Sequence, residues 1–213
     1  MKRAPRVRVR RRPSQRRSQV TVTAILDAAA RVFEERGFDA GTTNHVAERA
    51  GVSIGSLYEY FPNKDAMVVA LVERELEREG SKLLAILEPA GTQRELAAQL
   101  RAFVETLVEL HAKRPALHRM LFDQAEHPPA AHACVLGFEE SLAHALAESL
   151  RGVRPRLGDA DTKAHLIVQT AESLAHRFVL RGIHDLGRAD FARELTRLLV
   201  GYVGEGRGRR PQR

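Results

Sequence analysis

Cysteine is nearly absent from this sequence, and it contains no long apolar run and no long alternating β-branched segment. The single cysteine, Cys134, has no partner for an internal disulfide and fits a reducing compartment. No stretch approaches the ~20 apolar residues that a membrane helix needs. The Arg- and Pro-containing N-terminus has no apolar core of a secretory signal. We therefore expect a soluble, cytoplasmic protein of one or two domains.

Acidic residues are missing from the basic segments near both ends of the sequence. Residues 1–17 contain nine Lys and Arg side chains, and residues 207–213 contain four. Because the formal net charge is +7 at pH 7, residues 18–206 carry a net −6. The asymmetry indicates a polyanionic partner, although such charge blocks can also serve only to keep a chain soluble. We expect a disordered basic arm at residues 1–18 and a basic tail at residues 205–213.

Apolar residues at helical spacing, punctuated by Gly and Pro, divide the rest of the sequence into helices. The first is predicted to begin at a Thr21 cap and to end at Gly37. Further helices are predicted to begin near residues 64, 93, 115, 130, 161 and 190. Because no strand pattern or internal repeat accompanies them, we predict an all-α protein with a small N-terminal three-helix unit and a larger helical body.

Two short predicted helices separated by a glycine turn follow the first helix. Thr42 and Thr43 carry hydroxyls that can accept the free N–H groups of a first turn. Gly51 ends this helix, and Ser53 offers the cap of the next, which continues to Tyr60. The sequence therefore predicts a helix, a tight turn and a second helix.

The segment from Thr42 to Lys64, TTNHVAERAGVSIGSLYEYFPNK, resembles the signature of the TetR family of bacterial transcriptional regulators. The preceding residues, ILDAAARVFEERGFDAGT, extend the resemblance to about residues 20–72. The resemblance implies a helix-turn-helix DNA-binding domain at residues 19–65 and a helical effector-binding and dimerisation domain at residues 66–204. It also implies a homodimeric repressor that a small-molecule effector releases from a palindromic operator in double-stranded DNA.

The second short helix is the expected DNA reader, because an α-helix fits the major groove of B-DNA. Its first turn contains Ile54, Gly55 and Ser56. Glycine disfavours a helix, which is understandable where DNA must approach the backbone, although a short helix can simply tolerate it. Asn44 can pair with adenine and His45 can contact phosphate, but both are also ordinary solvent-facing residues near a helix start.

Phosphate contacts are expected from hydroxyls and one ammonium group, which fix register without reading bases. The resemblance implies the phosphate set Thr42, Thr43, Ser53, Tyr58, Tyr60 and Lys64. For Tyr58, packing of the ring against the core is an equal alternative, and both roles are compatible. The basic arm is expected to lie in the adjacent minor groove.

The helical body is expected, by the same resemblance, to hold an effector pocket and a dimer interface. The pocket candidates are Phe103, Leu107, His111, His118, Met120, Leu121, Phe122, Cys134, Phe138 and His176. The dimer candidates are Ile167, Val168, Ala171, Leu174, Phe178, Leu195, Leu198, Leu199 and Tyr202. For each residue taken singly, packing within the core or ordinary surface exposure is the alternative.

Motifs for catalysis and for metal binding are missing. The histidines and the acid at positions 111, 118, 123, 127 and 132 include no HxxxH or HExxH pair, and no CxxC is present. No Ser/His/Asp set, paired carboxylates or phosphate loop is evident. We therefore predict no cofactor, no metal and no enzymatic activity. The competing hypotheses are a helical-bundle metal or ligand sensor or enzyme, and an architectural nucleic-acid binder driven by the basic tails.

Overall fold

A computed structural model describes residues 16–122, 128–153, 158–182 and 185–204. Within these residues the chain forms α-helices and no strands, so the predicted all-α fold class is confirmed. The helices are α1 (Arg16–Ala40), α2 (Thr43–Ala50), α3 (Ile54–Tyr60), α4 (Lys64–Ile86), α5 (Gln93–Lys113), α6 (Pro115–Phe122), α7 (Pro129–Gly152), α8 (Ala160–Arg181) and α9 (Arg188–Gly204). Asp123, His127, residues 1–15 of the arm and the tail lie outside the described residues.

The first helix begins earlier than the sequence pattern predicts. α1 begins at Arg16, so the cap predicted at Thr21 is wrong. No Gly or Pro separates the two residues, and Arg and Gln are good helix formers that carry the helix through this segment. The predicted break at Gly37 is present, because this residue has a φ of 76° and a ψ of 176° within α1.

Residues 16–77, 116–122 and 128–136 belong to one compact unit, called here the N-terminal unit. Its buried core includes Ile25 and Phe33 of α1, Leu57 of α3 and Met67 of α4. It also includes the following residues of α6 and α7: Leu117, Leu121 and Ala131. The three N-terminal helices are therefore only part of a larger cluster that buries a continuous apolar core.

The remaining described residues form a second compact unit, called here the C-terminal unit. In it α5 packs against α8 and α9. The rings of Phe178 in α8 and Phe191 in α9 stack with centroids 4.0 Å apart. Gly80 of α4 leaves space for Phe138, since an added Cβ would come within 2.5 Å of that ring. None of the described helices is long and apolar enough to cross a membrane.

Candidate nucleic-acid interface

The turn between α2 and α3 is built from local hydrogen bonds that the sequence predicted. Thr42 caps α2 and forms a capping box with His45, whose backbone N–H donates to the Thr42 hydroxyl. Gly51 adopts the left-handed conformation, with φ 67° and ψ 30°, and closes α2. Ser53 then caps α3 by accepting the Ser56 N–H. Two helices are thus held at a sharp turn, with Leu57 of the second fully buried.

The outward face of α3 consists of a small centre, Gly55, with larger side chains around it. Because successive residues are ~100° apart around a helix, the burial of Leu57 turns Gly55, Tyr58 and Glu59 outward. Ile54 is 38% exposed at the start of this face. Ser56 is half-buried, and its Oγ accepts a hydrogen bond from the Ser53 hydroxyl at 2.9 Å.

Glu59 is an outward residue of α3 that was not predicted from the sequence. It lies four residues after Gly55, so the helical period alone would have placed both on one face. An exposed carboxylate here can accept a hydrogen bond from a cytosine amino group and disfavours a nearby phosphate.

Two predicted phosphate-contacting hydroxyls lie together. The Oγ1 of Thr43, at the start of α2, is 3.0 Å from the Tyr58 hydroxyl oxygen of α3. The Tyr58 residue is 42% exposed. Tyr60, in contrast, is half-buried and packs against the core of the N-terminal unit. Asn44 is exposed beside Thr43 on α2.

The ammonium group of Lys64 is directed toward the protein. Its Nζ donates to the Phe38 carbonyl oxygen at 2.5 Å and to the Asp39 carbonyl oxygen at 3.4 Å. The same atom lies 3.9 Å from the centroid of the Phe38 ring. Lys64 is thus in contact with the end of α1 as well as with its own helix.

The segment around the turn has little positive charge. Residues 42–60 contain one arginine, Arg49, and two acids, Glu48 and Glu59. Arg49 is paired with Glu35 of α1 at 2.6 Å. The hydrogen bond from Arg49 lowers the pKa of the Glu35 carboxyl. The side chains of α2 and α3 therefore provide hydroxyl groups for DNA contacts, but little positive charge to attract the phosphate backbone.

The predicted pocket residues are divided between the two units. His118, Met120, Leu121, Phe122 and Cys134 belong to the N-terminal unit, and Phe103, Leu107, His111, Phe138 and His176 belong to the C-terminal unit. Phe103, Leu107 and Leu121 are almost fully buried side chains of these cores.

Polar members of the pocket set have contacts inside their own units. His111 is buried, and its Nδ1 lies 2.8 Å from the Leu107 carbonyl oxygen, while its Nε2 lies 3.4 Å from a Glu172 oxygen. The Cys134 Sγ lies 3.8 Å from a Glu73 carboxylate oxygen. Burial, and secondarily this carboxylate, raise the pKa of the Cys134 thiol.

The predicted dimer residues differ in exposure. Ile167, Val168, Ala171, Phe178, Leu195 and Leu199 are buried within the C-terminal unit of a single chain. Leu174 is half-buried, whereas Leu198 is 56% exposed and Tyr202 is 36% exposed. Leu166 of α8, which was not in the predicted set, is 49% exposed. Leu166, Leu198 and Tyr202 are thus exposed apolar side chains on α8 and α9.

This architecture defines a class of protein, the helix-turn-helix proteins that also contain a second helical unit. The family model "Bacterial regulatory proteins, tetR family" matches residues 25–71, and the model "Tetracyclin repressor-like, C-terminal domain" matches residues 95–202. The second match alone covers half of the sequence. The chain belongs to the TetR family of bacterial regulatory proteins, as the resemblance of residues 20–72 predicted.

Relatives whose sequences are similar agree with this membership. An uncharacterized HTH-type transcriptional regulator of Mycobacterium tuberculosis is 32% identical over 108 residues, which are 49% of this chain and 50% of that protein. The chain thus spans about half the length of this relative. The HTH-type transcriptional regulator TtgR of Pseudomonas putida is 29% identical over 180 residues, 79% of this chain and 85% of TtgR.

One solved structure is the transcriptional regulator FadR of Bacillus subtilis in complex with stearoyl-CoA. It superimposes with a TM-score of 0.67 at 19% identity and covers 84% of this chain and 98% of FadR. At this identity the likeness shows the fold alone.

Proposed function

We propose that this protein is a DNA-binding transcriptional regulator that represses transcription from a palindromic operator. The outward face of α3 carries the proposal, because its centre, Gly55, presents bare backbone beside the exposed Ile54 side chain. Apolar contact with a thymine methyl suits Ile54, and Asn44 of α2 suits an adenine. Next to this face, the hydroxyls of Thr43 and Tyr58 are suited to a phosphate oxygen.

Selection of duplexes from a random DNA pool tests this function directly. The expected result is a pseudo-palindrome whose two halves are protected in footprinting. Enrichment of no sequence, with equal affinity for every duplex, would instead support the architectural nucleic-acid binder.

The operator-binding form is proposed to be a homodimer acting in the cytoplasm, where the chromosomal DNA of a bacterium lies. Each chain has one α2–α3 pair, and a twofold axis would place two recognition helices about one DNA turn apart, ~34–36 Å. The exposed Leu166, Leu198 and Tyr202 of the C-terminal unit supply an apolar surface for the partner chain.

A small-molecule effector is proposed to bind in the helical body and to release the operator. The stearoyl-CoA bound to the Bacillus subtilis FadR makes a long-chain acyl thioester a first probe, together with unrelated apolar compounds. Release requires that the effector bind the DNA-free and DNA-bound states unequally. An active compound should raise the unfolding temperature and weaken operator binding in titrations, and operator DNA should weaken its binding by the same factor.

A further inference from the structure

The contact between Lys64 and Phe38 joins the start of α4 to the end of α1, the two helices that flank α2 and α3 in the chain. In a continuing helix, the Thr42 N–H would donate to the Phe38 carbonyl, four residues earlier. Here the Thr42 N–H instead faces Nδ1 of His45 at 3.4 Å, within the capping box of α2. The Phe38 carbonyl oxygen therefore does not accept the Thr42 N–H. It accepts a hydrogen bond from the Lys64 ammonium group instead.

The positively charged ammonium group of Lys64 contacts groups of the protein itself. Two carbonyl oxygens lie within hydrogen-bond range of Nζ, and the ring face of Phe38 lies 3.9 Å from it. A cation stabilises carbonyl groups exposed near a helix end, and an aromatic face adds a further attraction. Because the half-buried Lys64 has three N–H donors, most of its hydrogen-bonding capacity is directed at Phe38 and Asp39.

The location of this contact allows it to affect the orientation of α3. Phe38 lies just before the connection from α1 to α2, and Lys64 lies just after the connection from α3 to α4. One ammonium group thus ties together the two ends of the α2–α3 pair. We infer that Lys64 is a positioning residue, which sets the angle at which α3 is presented to DNA through its contacts with Phe38 and Asp39. This role rests on the proposed function.

Salt dependence separates positioning from direct phosphate contact. A cation that neutralises a phosphate contributes roughly 0.9 to the slope of log K against log salt on duplex DNA, and it affects operator and random duplexes alike. A positioning residue changes the fit of α3 to its operator. Its removal should therefore reduce the preference for operator over random DNA while the slope stays the same.

The experiment compares Lys64→Met, Lys64→Arg and Phe38→Leu with the wild-type full chain, on the selected operator and on a scrambled duplex at several salt concentrations. Lys64→Met keeps an apolar stem and should weaken operator binding about tenfold with an unchanged slope. Lys64→Arg should restore most of the affinity, because a guanidinium can donate to carbonyls and stack on Phe38. Phe38→Leu should weaken operator binding although it removes no charge.

One further variant extends the test, and three results would overturn the positioning role or the proposed function. The double variant Lys64→Met with Phe38→Leu should weaken binding by less than the two single changes combined, since both remove one shared interaction. A Lys64→Met slope lower by about 0.9, with equal weakening on both duplexes, would show a phosphate contact and overturn the positioning role. Wild-type affinity in Lys64→Met would overturn it too. A wild-type protein that selects no duplex would refute the regulator itself, before any variant is compared.

Discussion

Gly55 has an ordinary helical backbone and open space around it, so the fold itself does not require glycine there. An added Cβ would meet only the Ser53 hydroxyl, at 3.8 Å. Glycine costs up to about 1 kcal/mol relative to alanine within a helix. We predict that Gly55→Ala raises the free energy of unfolding, measured with denaturant, and weakens operator binding at least about tenfold, because a methyl group would separate α3 from the bases.

Gly137 provides the matched control for that substitution. It is exposed in α7, and an added Cβ there meets nothing within 4 Å. Gly137→Ala should give a similar gain in stability with wild-type operator affinity. Undiminished binding by Gly55→Ala would contradict the close approach of DNA at that position.

Cys134 is the only cysteine in the sequence, so its reactivity is measured without background from other thiols. Its raised pKa means that less reactive thiolate is present near neutral pH. We predict that iodoacetamide alkylates Cys134 more slowly than it alkylates glutathione at pH 7.5. As the pH is raised, the alkylation rate of Cys134 should continue to increase at pH values where the rate of glutathione no longer changes. Glu73→Gln removes the neighbouring negative charge and should speed the reaction; an equal rate would contradict the contact.

At the scale of the elements, the Thr43–Tyr58 hydroxyl pair joins the start of α2 to the exposed side of α3. We predict that Tyr58→Phe weakens binding to operator and to scrambled duplexes by a similar factor, about two- to tenfold, with an unchanged salt slope, because a neutral hydroxyl releases no counterion. Fluorescence anisotropy titrations measure both. Ser141→Ala, which removes an exposed hydroxyl of α7, is the control. A change in preferred bases for Tyr58→Phe would show that the hydroxyl reads sequence.

Local chemistry made α2 and α3 predictable from the sequence. Thr42, Gly51 and Ser53 act on backbone groups only a few residues away, so their hydrogen bonds were correctly expected. Lys64 and Phe38 are 26 residues apart, and no pattern along the chain brings them together. The assignment of α6 to the N-terminal unit was missed for the same reason, since helical periodicity shows which face is apolar and not what covers it.

For the whole molecule, the accessible apolar surface of α8 and α9 should hold two chains together. We predict that Leu198→Glu gives a folded monomer in light scattering at micromolar concentration, with operator affinity strongly reduced because two half-sites are no longer bound at once. Leu198 is 56% exposed, so the change should leave the unfolding free energy of the chain's own core intact. Leu84→Glu, at another exposed leucine, should remain dimeric; a dimeric Leu198→Glu would place the interface elsewhere.

The positive charge of this chain lies mainly outside the helix-turn-helix, so we expect the basic arm to neutralise DNA phosphates. Residues 42–60 carry more acids than arginines, whereas residues 1–17 hold nine basic side chains. Deleting residues 2–12 should lower the salt slope, by roughly 0.9 for each phosphate that is no longer neutralised, and should weaken operator and scrambled DNA binding together. Titrations of both proteins over a salt series measure this. An unchanged slope would mean that the arm does not touch DNA.

The composition of the N-terminal unit limits where this protein can be cut for building hybrid regulators. Its apolar core includes Leu117, Leu121 and Ala131, which belong to α6 and α7 and lie far along the chain from the helix-turn-helix. A fusion that takes only residues 1–65 would leave the apolar surfaces beneath these residues open to water and prone to aggregation. A transplantable DNA reader from this chain must therefore carry residues 116–136 along with residues 1–77.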